Sequence, residues 1–281
     1  MNDYTRVTFS LQPCDEDRCD VLSALLAEVG FESFEACDDG LNAYIPSGKH
    51  DAALIAEALE RFPFASRVDW RAEVIAGRDW NEEWEKNHFT PIAVAGSCIV
   101  HSSFHKDYPR LPYDIVINPK MAFGTGHHET TTLMIERLLD EDLKGQPVLD
   151  VGTGTGILAI LASMLGASHC TGIEIDEAAY VNALENVDMN GRDNITIIHG
   201  DASAIESTGS YSYVLANINR NTITTDIPLY TRALNRGGRM LLSGFYSEDI
   251  PIVSTAARAQ GLKLIDSSLK KNWAMLVFYK G

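Results

Sequence analysis

Three alternating glycines follow a short apolar run in Val148-Leu149-Asp150-Val151-Gly152-Thr153-Gly154-Thr155-Gly156-Ile157. The residues before them read as a buried strand and those after them as a helix. Glycines at such a turn let backbone approach a ligand and adopt dihedrals closed to other residues. Amides left open at the helix start would favour a carboxylate or a phosphate. The spacing is GxGxG. The dinucleotide fingerprint GxGxxG sets its third glycine one residue later, where this chain has Ile157. Gly152 and Gly154 are therefore candidate contacts to a nucleoside-type cofactor.

Glu174 ends the next apolar run, in Gly172-Ile173-Glu174-Ile175-Asp176. A carboxylate there can accept from both ribose hydroxyls and would repel a 2′-phosphate. A helix N-cap is the other use of such a residue, but Asp176 is better placed for it. Asp201, in His199-Gly200-Asp201, is placed either to meet an adenine amine or simply to close a turn. Asn217, in Leu215-Ala216-Asn217-Ile218-Asn219, carries both donor and acceptor at the carboxyl end of a fourth strand, where ligands of open parallel sheets bind. It is the candidate catalytic residue; Asn219 and Asn221 are weaker candidates.

A second unusual stretch precedes the glycine turn: Asn118-Pro119-Lys120-Met121-Ala122-Phe123-Gly124-Thr125-Gly126-His127-His128-Glu129-Thr130-Thr131. Its glycines and paired hydroxyls could cover the far side of a cofactor, or could be an ordinary turn into a helix. His127-His128-Glu129 does not suggest a metal site, because adjacent side chains point apart and no third ligand is suitably spaced.

These residues need a scaffold of alternating strands and helices. From Pro147 onward the pattern gives strands at 148–151, 170–175, 195–199, 213–217, 239–243, 262–265 and 273–279, with helices at 157–165 and 177–189. Such alternation builds a doubly wound parallel sheet. The last two strands leave no room for a crossover helix and should pair antiparallel. Before this, residues up to Ile75 read β-α-β-β-α-β, with helices over 17–29 and 51–62, the order of the split βαβ sandwich. Asp79 to Trp84 reads as a charged helical connector. A run of short strands and turns follows.

Composition narrows the function classes. The chain has 281 residues, enough for two domains, and 45 % apolar residues, enough for a substantial core. A net charge of -16 repels phosphate backbones and favours basic partners, so direct nucleic-acid binding is not expected. Five cysteines without a CxxC pair imply free thiols in a reducing compartment rather than disulfides or zinc. No signal peptide and no apolar run of membrane-spanning length is visible.

Phe123 to Thr131, Leu149 to Gly156, Gly172 to Asp176 and Ala216-Asn217-Ile218, in this order and with the Asp79 to Trp84 connector, resemble the bacterial ribosomal protein L11 methyltransferase family. The resemblance covers residues 79–281 well; the N-terminal part agrees mainly in size and strand order. It implies a seven-stranded class I methyltransferase sheet with the last strand antiparallel, and a small ferredoxin-like α+β domain that captures the substrate. The implied domains are 1–75 for recognition, 76–100 for a connecting helix and linker, and 101–281 for catalysis. It implies S-adenosyl-L-methionine as cofactor, held by Thr131, Gly152, Glu174 and Asn217. It further implies methylation of lysine and N-terminal amines of protein L11, a cytoplasmic location and a monomer. The chain departs from the family pattern at Glu174, where aspartate is usual, and at Lys120, His127, Glu129 and Asn219. A rival NAD-dependent oxidoreductase is disfavoured by the GxGxG spacing. Methyltransferases for nucleic acid or release-factor glutamine usually have two prolines after the asparagine, where Ile218 and Asn219 stand here. A binding module without catalysis would leave two glycine-containing loops unexplained.

Overall fold

The computed structural model describes residues 4–37, 39–75, 89–120, 124, 126, 128–207 and 210–281. The connector at Asp79 to Trp84, and Phe123, Thr125 and His127 of the second loop, lie outside the described residues. The chain divides into two compact units, Met1–Trp80 and Asn81–Gly281.

In the first unit, strand β1 (Tyr4–Gln12) alternates strictly, with Val7, Phe9 and Leu11 buried. Helix α1 (Glu16–Glu28) starts at Asp15, whose side chain accepts from the Arg18 amide, and gives way to Gly30 at φ +100°. Strands β2 (Ser33–Cys37) and β3 (Gly40–Pro46), helix α2 (Ala52–Glu60) and strand β4 (Arg67–Ile75) follow. The sheet order β2-β3-β1-β4 is antiparallel throughout and matches the ferredoxin-like expectation. Leu22 and Leu26 of α1 and Ile55 and Ala58 of α2 cover its apolar face.

The second unit opens with a small sheet of β5 (Ile92–Val94), β6 (Cys98–His101) and β7 (Tyr113–Val116), in which β6 and β7 run parallel. Helix α3 (Glu129–Leu139) leads into β8 (Pro147–Val151), α4 (Ile157–Met164), β9 (His169–Glu174), α5 (Glu177–Met189) and β10 (Ile195–His199). Next come β11 (Tyr211–Asn217), α6 (Arg220–Ala233), β12 (Leu234–Tyr246), α7 (Ile250–Ala259), β13 (Leu262–Lys270) and β14 (Trp273–Lys280). The seven-stranded order is β10-β9-β8-β11-β12-β14-β13, and β14 runs antiparallel to both neighbours. Alternation along β11 assigns the helices to opposite faces. Tyr213 and Leu215 pack with Leu133, Leu161 and Val187 of α3, α4 and α5. Val214 and Ala216 pack with Ile223, Ile227 and Val253 of α6 and α7. The strand order reverses at β8, whose neighbours are β9 and β11, so a crevice opens where their carboxyl ends diverge.

Helix α6 was not expected from the sequence: Thr222, Thr224, Thr225 and Pro228 obscure its period. Asn219 caps it, accepting from the Thr222 amide at 3.0 Å, and the Thr224 and Thr225 hydroxyls donate back to the Asn221 carbonyl.

One buried charge cluster locks α3 to the sheet. The Glu141 side chain is fully buried; Arg137 reaches it at 2.6 Å, Arg239 also pairs with it, and Tyr213 donates to it at 3.2 Å. Removing a partner leaves a carboxylate short of compensation. Arg137→Met should lower unfolding free energy by about 2–3 kcal/mol, below the usual range for a broken buried pair because Arg239 and Tyr213 remain. Urea denaturation checks this, and a loss within experimental error would mean that Arg239 alone satisfies Glu141.

Candidate functional site

A cavity of about 640 Å³ opens at the carboxyl ends of the central strands. Its walls are Val151, Gly152 and Gly154 after β8; Ile173 to Asp176 at β9; Gly200 to Ala202 after β10; Asn217 to Asn219 after β11; and Gly244 of β12. His128 and Thr130 at the start of α3, Ala179 of α5, Thr222 and Asp226 of α6 and Trp273 of β14 complete it. The sheet therefore brings Gly152, Gly154, Glu174, Asp201 and Asn217 to one cavity.

Hydrogen bonds tie the glycine turn to the neighbouring strand. The amides of Gly152 and Thr153 both donate to the Ile173 carbonyl, at 2.8 and 3.0 Å, and the Gly154 amide donates to Glu174 Oε2 at 2.8 Å. These three amides are not left open for an anion. They fasten the turn to the end of β9, and the glycines contribute shape: a Cβ at Gly152 would fall 2.3 Å from Ile218 Cγ2. Gly152, Gly154 and Gly156 all have positive φ.

Glu174 is buried and accepts three amides: Gly154 on one oxygen, Ile175 and Asp176 on the other at 3.0 and 3.1 Å. A carboxylate offers about four acceptor sites, so roughly one remains for a ribose hydroxyl rather than a free pair. Asp176 caps α5 through the Ala179 amide at 2.8 Å, as the sequence suggested, leaving Glu174 to the cavity. Ile175 beside it is 69 % exposed and lines the cavity. Asp201 stands at the exposed rim. Its carboxylate accepts the Ser203 amide, and hydrogen bonds from Ser203 hold it below the ordinary carboxylate range.

Asn217 carries the clearest chemical signal. It is buried, its Nδ2 donates to Thr131 Oγ1 at 3.3 Å, and its Oδ1 has no partner. A buried acceptor left unmatched costs about 1–3 kcal/mol, which a fold tolerates where a ligand will supply the donor. Thr131 itself is fully buried and reaches the cavity only through Asn217, whereas Thr130 stands on the cavity wall. His128 caps α3 through the Thr130 amide and hydroxyl, and its ring meets Trp273 edge-on at 4.5 Å. No group of histidine, cysteine and carboxylate residues suited to a metal occurs among the described residues.

The sequence reading did not single out Gly244 or Trp273. Gly244 sits at φ +95°, and a Cβ there would lie 2.3 Å from the Ile218 carbonyl oxygen, so glycine is what lets β12 pass the Asn217-Ile218 turn. Trp273 read only as the start of a core strand; it reaches the cavity because β14 folds back beside β12.

Asp150 lies behind the turn, accepting from the Thr153 hydroxyl at 2.6 Å, with its other oxygen unpartnered. Burial, with the Glu174 charge adding to it, pushes its carboxyl up to about 7. The folded protein then keeps this proton to higher pH than the unfolded chain does, so its stabilising contribution is full below about pH 4 and is lost as pH rises toward 7. Melting temperature should fall across that window, and Asp150→Asn, which keeps an acceptor for Thr153, should flatten the decline. Parallel melting curves for the two proteins would refute the assignment.

The residues fit S-adenosyl-L-methionine. Glu174, Ile175, Gly152, Gly154 and Asn217 line one cavity, a Cβ at Gly152 would clash with Ile218, and Asn217 carries a buried acceptor without a partner. Comparisons with known proteins agree. The family model described as ribosomal protein L11 methyltransferase (PrmA) matches residues 18–281. The ribosomal protein L11 methyltransferase of Phocaeicola vulgatus is 45 % identical over 276 residues, covering 98 % of each chain. That of Porphyromonas gingivalis is 47 % identical over 264 residues, covering 94 % of this chain and 91 % of the relative. Among solved structures, a ribosomal protein L11 methylase from Lactobacillus delbrueckii subsp. bulgaricus superposes with a TM-score of 0.63 at 24 % identity, covering 69 % of this chain and 98 % of the other, a likeness of fold. The matched sequence extends through both units and every strand end that lines the cavity, and the chain belongs to the ribosomal protein L11 methyltransferase family.

Proposed function

We propose that the protein transfers methyl groups from S-adenosyl-L-methionine to amino groups of ribosomal protein L11, on lysine side chains and the N-terminal amine. The observation that carries this reading is the cavity at the sheet's switch point, lined by both Glu174 and Asn217, the latter with a buried Oδ1 that has no partner. Family membership supplies the acceptor.

The donor supplies a methyl group on a sulfonium sulfur, already activated for displacement, so the protein's task is to position, desolvate and steer. Gly152 and Gly154 give the close backbone surface, Glu174 the sugar contact, and Asp201 with Ile175 the surroundings of the base. An amine with a reference pKa of about 10.4 must be neutral to attack, and a cavity walled by Val151, Ile218 and Trp273 disfavours its charged form. Asn217 Oδ1 can accept an N–H of that amine and so aim its lone pair. Thr131 holds the amide through Nδ2 and leaves Oδ1 without a protein partner.

The first unit is the recognition domain in this reading. The net charge of -16 suits a basic protein substrate. No helix among the described residues is long and apolar enough to cross a membrane. Incubation with labelled S-adenosyl-L-methionine and ribosomes from a strain lacking the enzyme should label L11. Label on ribosomal RNA or on a small metabolite, with L11 unlabelled, would overturn the assignment.

A further inference from the structure

We infer that a row of ion pairs between α3 and the β13–β14 hairpin sets the position of Trp273 at the acceptor side of the cavity, with Glu129 and Lys271 as positioning residues for the transfer. The inference rests on the reading of the cavity as the methyl-transfer site.

Trp273 lies between two spaces. It lines the 640 Å³ cavity and also an adjoining one of about 400 Å³, and the two share Asn219, Gly244 and Trp273. Its ring stacks on Tyr246 at 4.2 Å and meets His128 edge-on at 4.5 Å. Any shift of this ring changes the passage between the spaces. Trp273 is the first residue of β14, one position past the hairpin turn at Lys271-Asn272, where Lys271 has φ +53°. It therefore moves with the hairpin tip.

Three ion pairs tie that hairpin to α3. Lys271 pairs with Glu129, Lys270 with Glu136 at 3.4 Å, and Arg137 with Asp266 at 2.5 Å. Glu129, Glu136 and Arg137 stand at i, i+7 and i+8, one face of the helix. Lys271 holds the Glu129 carboxyl below the ordinary range, as a close cation should. The hairpin itself does not need these pairs, because β13 and β14 already share a ladder from Leu262↔Lys280 to Lys270↔Trp273. The Glu129–Lys271 pair fixes the tip against the start of α3, beside the cavity-lining His128 and Thr130, while the other two pairs hold the hairpin to the helix's last turn. Exposed pairs contribute little to global stability, whereas a displacement of about 1 Å at a reacting centre can cost about 100-fold in rate. The consequence should therefore appear in the reaction and not in folding.

The test uses the full chain with Glu129→Lys, Lys271→Glu and the double charge swap. Each single variant should lower kcat/KM for L11 by about tenfold, with donor Kd and melting temperature close to the parent, and the swap should recover most of the loss. A second readout needs no turnover: Trp273 emission, isolated by difference against Trp273→Phe, should shift in each single variant and return in the swap. Parent-like emission in the single variants, additive losses in the swap, or shifted emission with parent-like kcat/KM would each overturn the inference. Failure of the parent protein to methylate L11 would instead sink the functional reading, and the emission series would still decide whether the pairs place the ring.

Discussion

Asn217→Ala should lower methyl-transfer turnover by about 10²- to 10³-fold while changing donor Kd far less, as expected for loss of a group that acts on the reacting amine. The side chain is buried with an unmatched Oδ1, and its Nδ2 donates to Thr131. Deletion removes an acceptor that no protein group uses and that an incoming N–H can. Thr131 supplies an internal control. Thr131→Val leaves Nδ2 without its acceptor and lets the amide turn, so it should reproduce part of the Asn217 defect in kcat, whereas Thr131→Ser keeps the oxygen and should retain most activity. Stopped-flow turnover together with donor titration separates the two quantities. Equal losses in kcat and donor affinity for Asn217→Ala would show that it only binds the donor.

The second large effect is expected at Glu174, and it falls on the other quantity. Glu174→Ala removes a buried carboxylate that holds three amides and faces the cavity. A hydrogen bond to a charged group is worth about 1.5–3 kcal/mol, so loss of even one such contact to the donor should weaken its binding by about 10- to 100-fold. The Gly154 amide also loses its partner, and the turn that shapes the cavity loosens with it. Glu174→Gln keeps one acceptor oxygen and should bind donor with intermediate affinity. Calorimetric titration of the three proteins measures the series. Unchanged affinity in Glu174→Ala would mean that the carboxylate serves only to staple the glycine turn.

Much of this site is legible in sequence because parallel strands deliver their last residues to one edge. Glu174 and Asn217 were identifiable from the apolar runs that precede them, and Gly152 and Gly154 from their alternation before a helix. What the sequence could not resolve is direction within an element. Thr130 and Thr131 are adjacent on α3, and only the helix phase puts one on the cavity wall and the other behind Asn217. Nor does local pattern show that the amides of Gly152, Thr153 and Gly154 are spent on the end of β9. Helix α6 was masked by β-branched threonines and Pro228, whose propensities tertiary packing of Ile223, Ile227 and Tyr230 overrides. Trp273 could not be connected to the site from local pattern, since that requires knowing that β14 inserts between β12 and β13.

Everything turns on whether the strand-end cavity is the donor's seat. Calorimetric titration of the purified chain with S-adenosyl-L-methionine, and with NAD as the competing nucleoside cofactor, asks this directly, and Gly152→Val provides the matched control because its side chain would enter the space against Ile218. The account predicts saturable one-site binding of S-adenosyl-L-methionine, no heat with NAD, and loss of binding in a folded Gly152→Val protein. A flat titration with S-adenosyl-L-methionine, or full binding in Gly152→Val, would contradict it.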